Sequence, residues 1–190
     1  MPGKKIYLTF DDGPAEPYTS EILKCLCRYQ AKATFFACGK NIERDPETFK
    51  KVFAAGHAIG NHAYSHSWLQ MFGPDLYHEF KLTEKIITEA VRVKTDLLRA
   101  PWGKMRGSVK KKLLAEGYRI VNWDIAPYDW WQPPVSYIAR SIIRRAFDGC
   151  IVLLHDGQKT QSGKSRKNTV AALDILIPVL QKQGYEFVTL

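Results

Sequence analysis

Two adjacent carboxylates, Asp11 and Asp12, are the first side chains of the sequence that could do chemistry. They follow an apolar run at residues 6–8, which is typical of a buried strand, and a Gly-Pro pair then turns the chain away. Because neighbouring side chains of a strand point to opposite sides, we expect one Asp to bind a metal while the other faces a reacting group. Asp-Gly is also common in simple turns. The functional interpretation of the Asp pair therefore depends on the polar residues that end later apolar runs.

A second pair, His62 and His66, has the spacing that places two imidazoles on one face of a helical turn. Two unrelated surface or packing histidines would give the same spacing, and the pattern alone is a weak signal. An Asp from another strand end would complete a set of two histidines and one carboxylate. Such a set leaves coordination positions open for water and substrate, as catalytic zinc and non-haem iron sites do.

Two further polar residues stand where apolar runs end. Arg99 begins the segment Arg-Ala-Pro-Trp-Gly, and a buried Arg beside the Asp pair would hold a carboxylate in place. His155 follows four apolar residues and could be a general acid whose pKa is raised by a nearby carboxylate. Each also has a structural interpretation, which is an ion pair at a strand exit for Arg99 and a capping histidine in a turn for His155.

Aromatic residues gather around Asp129, which lies just past the fifth predicted strand. Trp130 and Trp131 follow it directly, and their rings favour the wall of a site that stacks on sugars. Trp123 lies inside the predicted strand and is interpreted as core.

Alternating apolar runs and helical patterns predict the elements that position these side chains. The predicted strands are 5–10, 32–38, 57–61, 97–100, 118–124, 150–154 and 186–190. The predicted helices are 18–30, 46–55, 75–94, 107–116, 135–147 and 168–183. Near-continuous apolar strands that alternate with helices are typical of an α/β fold with a parallel sheet covered by helices. Seven strands in this order favour an incomplete barrel, with an open doubly wound sheet as the alternative. In both, active sites form at the carboxyl ends of the strands, where the polar residues lie.

Composition narrows the class of protein. The 190 residues fit one domain, residues 1–190, and no apolar run is long enough to span a bilayer. A net charge of +9 favours anionic surroundings, such as nucleic acid, an acidic cell wall or a membrane surface. No nucleic-acid motif accompanies the charge. We therefore interpret the charge as favouring a location near anionic material and not as part of the activity. The first residues lack a signal peptide, which is expected of a cytosolic protein or of a trimmed catalytic domain.

Taken together, these motifs resemble those of the polysaccharide deacetylase family, which is carbohydrate esterase family four. The resemblance extends from Thr9 to the last strand, and the motifs occur in the family's order. It implies a distorted (β/α) barrel and the metal-dependent removal of N- or O-acetyl groups from sugars. The expected fold is therefore α/β, a distorted and incomplete (β/α) barrel with about seven parallel strands.

The resemblance also implies roles for individual residues. Asp11 corresponds to the catalytic base, and Arg99 to the residue that fixes this base. Asp12, His62 and His66 correspond to the three ligands of one divalent metal ion. Zn²⁺ suits these ligands best, and Co²⁺, Fe²⁺ or Ni²⁺ could occupy the same site.

Five more positions complete the implied site. His155 corresponds to the general acid, and Asp129 to the carboxylate that tunes it. The backbone N–H of Trp102 matches the oxyanion donor, while Leu153 and Trp130 resemble the walls of the acetyl pocket.

Three positions depart from the family's pattern. Ala63 replaces the usual Ser or Thr after the first histidine, and Ser67 replaces a frequent Pro after the second. Lost hydrogen bonding at Ala63 is expected to loosen that loop. Ala126 occupies the first acidic position of the aromatic motif, which bears on substrate preference more than on catalysis.

We therefore predict a hydrolase that removes N-acetyl groups from glycans containing N-acetylglucosamine, namely peptidoglycan, chitin or chitooligosaccharides. The alternatives are an O-acetyl esterase acting on xylan, a non-catalytic carbohydrate-binding relative and, on charge alone, a nucleic-acid-binding domain. The expected partner is an acetylated glycan and not nucleic acid, no integral membrane segment is expected, and the expected state is a monomer. A location at the cell wall is expected if the chain is a trimmed domain.

Overall fold

The computed structural model describes residues 3–68, 75–157 and 165–190. Seven parallel strands form one sheet in the order β5-β4-β3-β2-β1-β6, and β7 pairs with the start of β1. The strands are β1 (Lys4–Asp11), β2 (Ala33–Ala37), β3 (Ala58–Asn61), β4 (Leu97–Leu98), β5 (Arg119–Ile120), β6 (Cys150–His155) and β7 (Tyr185–Phe187). The helices are α1 (Tyr18–Arg28), α2 (Gly39–Arg44), α3 (Pro46–Ala54), α4 (Asp75–Val91), α5 (Gly107–Ala115), α6 (Val135–Arg145) and α7 (Lys167–Lys182).

The sheet curls into a half-barrel, and an isolated β-bridge joins the segment after β5 to β6. After β5 the chain crosses towards β6, where Ile125 pairs with Val152 and the Asp124 N–H donates to the Ile151 carbonyl over 2.9 Å. This arrangement confirms the distorted, incomplete (β/α) barrel.

The core lies between β1, β6 and the helices that pack on them. Every residue of β2 is buried, as expected for a central parallel strand, and β1 is buried from Leu8 to Asp11. In α6, Ile138, Ala139 and Ile142 form the buried face, while Arg144 and Arg145 are exposed in the last turn. Among the described helices, none has the length and apolar character needed to cross a membrane.

Some elements differ from the predicted ones. Helix α2 was not predicted, because six residues are too few to show a helical period. Strands β4 and β5 are shorter than the predicted 97–100 and 118–124. Strand β4 ends early because Pro101 has no N–H to donate to a strand ladder. Strand β5 ends early because the chain after it leaves β4 to pair with β6. Strand β7 spans Tyr185–Phe187 and does not extend to 190. The four cysteines are free, and Cys38 and Cys150 are buried.

Candidate active site

The register of the two central strands brings two of the predicted residues side by side. Asp11 is the last residue of β1 and pairs in register with His155, the last residue of β6. The unbroken apolar runs before them hold both strands in the core, so their ends present these side chains at one edge of the barrel. Leu153, two residues before His155 and therefore on the same face of β6, is buried.

Arg99 reaches this edge from the end of β4. Its side chain is fully buried, and one guanidinium nitrogen donates to Asp11 Oδ1 and to Thr9 Oγ1, each over 2.7 Å. The other nitrogens donate to the carbonyls of Val121 and Asn122 over 3.3 and 3.2 Å. Arg99 therefore fixes one oxygen of Asp11, as the resemblance implied, and connects β1 to the segment after β5.

Asp12, His62 and His66 converge on one point. Their possible ligand atoms lie within 4.8 Å of one another, and all three residues are buried. Asp12 Oδ1 is 3.6 Å from His62 Nε2 and 3.4 Å from His66 Nε2. A tetrahedral ion with bonds of about 2.1 Å sets its ligand atoms roughly 3.4 Å apart, so the spacing fits such an ion.

The protonation of this cluster also fits a metal. His62 Nδ1 is 2.8 Å from the Arg99 carbonyl, which can only accept, so Nδ1 carries the proton and Nε2 has a free lone pair. Burial, followed by repulsion from His66, lowers the pKa of His62 to about 3. Asp12 Oδ1 is buried and has no hydrogen-bond partner among the described residues. The Nε2 lone pair of His62 and the unpartnered carboxylate oxygen of Asp12, with His66 beside them, form a donor set that a divalent cation would satisfy.

Two local predictions about these residues were wrong. Asp11 and Asp12 do not point to opposite sides, since Asp11 Oδ2 and Asp12 Oδ1 both lie 3.6 Å from His62 Nε2. Asp12 has a φ of 77°, so it leaves the strand geometry and turns back towards Asp11. The two histidines are not on a helical turn either. They lie in an irregular loop in which Ala63 and His66 have φ values of 61° and 52°.

The loop is nevertheless well held, against the expectation that Ala63 would loosen it. Asn61 Oδ1 accepts from the Ala63 N–H over 3.0 Å, and Asn61 Nδ2 donates to the Phe80 carbonyl over 2.8 Å. Glu79 accepts from both the backbone N–H and the hydroxyl of Ser65. Asn61 and Glu79, which sequence reasoning did not single out for this purpose, replace the missing hydroxyl of residue 63.

Asp129 and His155 form a closely bonded pair on the other side of Asp11. Asp129 Oδ1 lies 2.8 Å from His155 Nδ1, and Asp129 Oδ2 accepts from the His155 backbone N–H and from Thr169 Oγ1, each over 2.9 Å. Burial lowers the pKa of His155, but the charge and hydrogen bond of Asp129, with Asp12 and Asp11, outweigh it and raise this pKa to about 9. The pair can therefore present a protonated imidazole next to Asp11.

The predicted aromatic walls lie beside these groups. The ring of Trp102 is edge-on to His66 at 4.3 Å, within a 3₁₀ turn at Pro101–Gly103. The ring of Trp130 is edge-on to His155 at 5.3 Å. Trp102 therefore lies beside the histidine cluster, and Trp130 lies beside the Asp129–His155 pair.

Asp156 is a supporting residue whose function the sequence did not predict. Its Oδ1 accepts from the Gly13 N–H over 3.1 Å, and its Oδ2 accepts from Thr19 Oγ1 over 2.7 Å. A Cβ on Gly13 would lie 2.0 Å from Asp156, and one on Gly157 would lie 2.5 Å from the Asp12 backbone. The only signals for this packing were the glycines that follow each Asp, which also occur in ordinary turns.

The comparisons with known proteins agree with this geometry. A family profile described as polysaccharide deacetylase matches residues 1–121. A peptidoglycan-N-acetylglucosamine deacetylase of Bacillus cereus is 39% identical, covering 98% of this chain and 86% of the relative. A chitooligosaccharide deacetylase of a Bradyrhizobium species is 35% identical, covering 96% of this chain and 87% of the relative.

A solved structure indicates the same family. The Bc1960 peptidoglycan N-acetylglucosamine deacetylase, in complex with 4-naphthalen-1-yl-N-oxidanyl-benzamide, superposes with a TM-score of 0.92 at 33% identity. The match covers 98% of this chain and 86% of that one. The sequence motifs, the barrel and these relatives together show that the chain belongs to the polysaccharide deacetylase family of hydrolases.

Proposed function

We propose that this protein hydrolyses the N-acetyl groups of glycans containing N-acetylglucosamine and releases acetate, with peptidoglycan as its main substrate. The observation that carries the proposal is the meeting of Asp11, His155 and the Asp12-His62-His66 cluster at one edge of the barrel. Asp11 and Asp12 lie at the end of β1, His155 ends β6, and the two histidines of the cluster lie in the loop after β3. A sugar-binding protein would have no need to bring these groups together.

Asp12, His62 and His66 would hold one divalent metal ion, and we propose zinc. Co²⁺, Fe²⁺ and Ni²⁺ prefer similar ligands. When bound, such an ion supplies Lewis acidity that polarises a carbonyl and lowers the pKa of water.

The protein's own residues would move the protons of the reaction. Asp11, oriented by Arg99 through one oxygen, has its other oxygen available to take a proton from the attacking water. His155, kept protonated by Asp129, would donate its Nε2 proton to the leaving amine, so that water and amide become acetate and a free amino sugar. General acids and bases each typically contribute about 10²–10⁴-fold to the rate.

Three further groups would position the acetyl group. We propose that the backbone N–H of Trp102 donates to the oxyanion that develops at the carbonyl. The Leu153 side chain and the Trp130 ring would enclose the acetyl methyl group. A small apolar wall of this kind favours acetyl over larger acyl groups.

The choice of peptidoglycan depends on the relatives and on charge. The 39% identical relative is a peptidoglycan-N-acetylglucosamine deacetylase, and the 35% identical relative is a chitooligosaccharide deacetylase. A net charge of +9 would attract the protein to an anionic cell wall. We accordingly propose that residues 1–190 act as one monomeric catalytic domain on the outer side of the cytoplasmic membrane.

Acetate release from a panel of glycans tests the proposal. Peptidoglycan and chitooligosaccharides should release acetate, and a chelator should abolish this release until a divalent metal is restored. Acetylated xylan should release none. Release from xylan alone would instead support an O-acetyl esterase, and no release from any glycan would support a non-catalytic carbohydrate-binding protein.

Elemental analysis tests the metal site independently of activity. The wild-type protein should contain about one equivalent of zinc, and His62→Ala/His66→Ala should contain almost none. His57→Gln is the matched control, because His57 is buried near β3 but lies outside the cluster. An unchanged metal content in the double variant would place the ion elsewhere.

A further inference from the structure

Trp131 presents a large aromatic ring to solvent next to the proposed active site. At 72% exposure it is the most exposed large hydrophobic side chain among the described residues. The cation–aromatic contacts of the described residues do not involve its ring. An indole in this position is a poor choice for stability alone, because burying it would be favourable by the hydrophobic effect.

The ring of Tyr128 fixes the plane of Trp131. The two rings are nearly parallel, at 20°, with centroids 5.5 Å apart. Since one face of Trp131 is against Tyr128, the exposed area belongs mainly to the opposite face and the edges. Trp130 meets both rings edge-on, at 79° to Tyr128 and 64° to Trp131, which completes a three-ring cluster.

The backbone that carries these rings is unusual and tightly bonded. Tyr128 and Gln132 have φ values of 57° and 56°, the left-handed region that residues other than glycine rarely adopt. Between them, the turn at 129–131 is closed by hydrogen bonds from Trp131 N to the Tyr128 carbonyl and from Gln132 N to the Asp129 carbonyl, each over 3.0 Å. Such strain persists where surrounding contacts determine the conformation, and it concentrates at functional sites.

The same turn connects the exposed ring to the catalytic pair. Its first residue, Asp129, is buried against His155, its second, Trp130, lies edge-on to His155, and its third is Trp131. The ring centroid of Trp130 is 5.3 Å from that of His155 and 6.0 Å from that of Trp131. The distance between the ring centroids of Trp131 and His155 therefore cannot exceed the sum of these two distances. A polymer held at His155 would pass close to Trp131.

We infer that the Tyr128–Trp131 pair is a stacking platform for a second sugar ring, adjacent in the glycan to the ring that is deacetylated. This inference rests on the proposed function. A pyranose ring with equatorial substituents has two faces of C–H bonds, and such faces pack on aromatic rings, while its hydroxyl groups remain in water. The platform would make the protein prefer oligomers over short acetylated sugars.

Chain-length dependence tests the platform. We expect Trp131→Ala to lower the ratio of kcat/KM on chitotetraose to kcat/KM on monomeric N-acetylglucosamine, which has no adjacent ring, by roughly two- to tenfold, the range for one aromatic contact. Trp131→Phe should keep most of this ratio. Tyr128→Asn, which tolerates the left-handed backbone but lacks the ring, should lower it to an intermediate degree. Phe147→Ala is the matched control, because Phe147 is 51% exposed and precedes the start of β6, at the opposite edge of the barrel.

An unchanged ratio in Trp131→Ala would overturn the inference. If kcat/KM fell equally on both substrates, the ring would only support the turn at Asp129. If a wild-type dimer became monomeric in Trp131→Ala, the ring would instead contact a second copy.

Calorimetric binding of chitotetraose and of monomeric N-acetylglucosamine to metal-free protein separates this inference from the proposed function. If wild-type protein released no acetate from any glycan, the proposed function would fail. A tetramer preference that disappears in Trp131→Ala would still support the platform, and equal binding by wild type and variant would refute it.

Discussion

Replacing Asp129 by Asn tests whether this buried carboxylate determines the protonation of His155. Oδ2 of Asp129 accepts from two donors, the His155 N–H and Thr169 Oγ1, so the amide oxygen of Asn should occupy that position. The amide NH₂ would then face His155 Nδ1, at the place where a carboxylate oxygen lies 2.8 Å away. A neutral donor in that position opposes a proton on Nδ1, so the pKa of His155 should fall from about 9 at least to its ordinary 6.5.

The expected loss of activity can be calculated from these pKa values. At pH 8 the protonated fraction of His155 would fall from about 0.9 to about 0.03, so kcat/KM should fall roughly 30-fold. The basic limb of the pH profile should move to lower pH by at least about 2.5 pH units. Any bound metal is common to both proteins, so the comparison isolates Asp129.

The assay is acetate release from chitotetraose, with kcat/KM measured across the pH range for wild type and Asp129→Asn. Asp124→Asn is the matched control, because the Asp124 carboxylate is exposed and accepts from the Ile151 N–H, away from His155. The reasoning is refuted if the basic limb of Asp129→Asn stays in place, or if Asp124→Asn moves it equally.

Other consequences can be measured on the same protein. Asp11→Asn should lower kcat by about 10²–10⁴-fold yet keep the metal, whereas Asp12→Ala should lose both, and loss of metal from correctly folded Asp11→Asn would reverse the two assignments. Burial and repulsion from Lys32 lower the pKa of His57 from 6.5 to about 4, so the folded state favours its neutral form. The contribution of His57 to the free energy of unfolding is therefore fully present above pH ~6.5, and this free energy should decrease by about 3 kcal/mol as the pH falls towards 4. Urea unfolding of metal-free protein should show this decrease, and His57→Gln should lack it; parallel curves would contradict the assignment. Raised salt should barely change KM on neutral chitooligosaccharides but should weaken binding to anionic peptidoglycan, and a strong salt effect on the neutral oligomers would show that charge acts at the site.

The strand ends could be predicted because their signal is local. Asp11 and His155 each follow an uninterrupted apolar run, and in a parallel sheet this pattern is enough to place both side chains at the same edge. The sequence could therefore predict that these residues meet, although it could not predict that they are paired in register.

The local geometry of the site could not be predicted in the same way. Ala63 and His66 have positive φ values, yet neither is a glycine or asparagine, so nothing in their residue types indicates an irregular loop. The contacts of Arg99 with the carbonyls of Val121 and Asn122 depend on how the barrel closes, which is a tertiary property. For the same reason Asp156 and Thr169 gave no signal as supports of the turns that carry Asp11 and Asp129.

The burial of Arg99 also affects how this protein can evolve. Removing the carboxylate of Asp11 would leave a fully buried guanidinium without its counter-charge, which typically costs about 3–5 kcal/mol. That is a large part of the roughly 5–15 kcal/mol that keeps a domain folded. Asp12 Oδ1, by contrast, has no hydrogen-bond partner among the described residues, so its loss disturbs folding less. A lineage drifting towards a catalytically silent descendant would therefore lose Asp12 before Asp11, because folding requires the carboxylate of Asp11 beside Arg99.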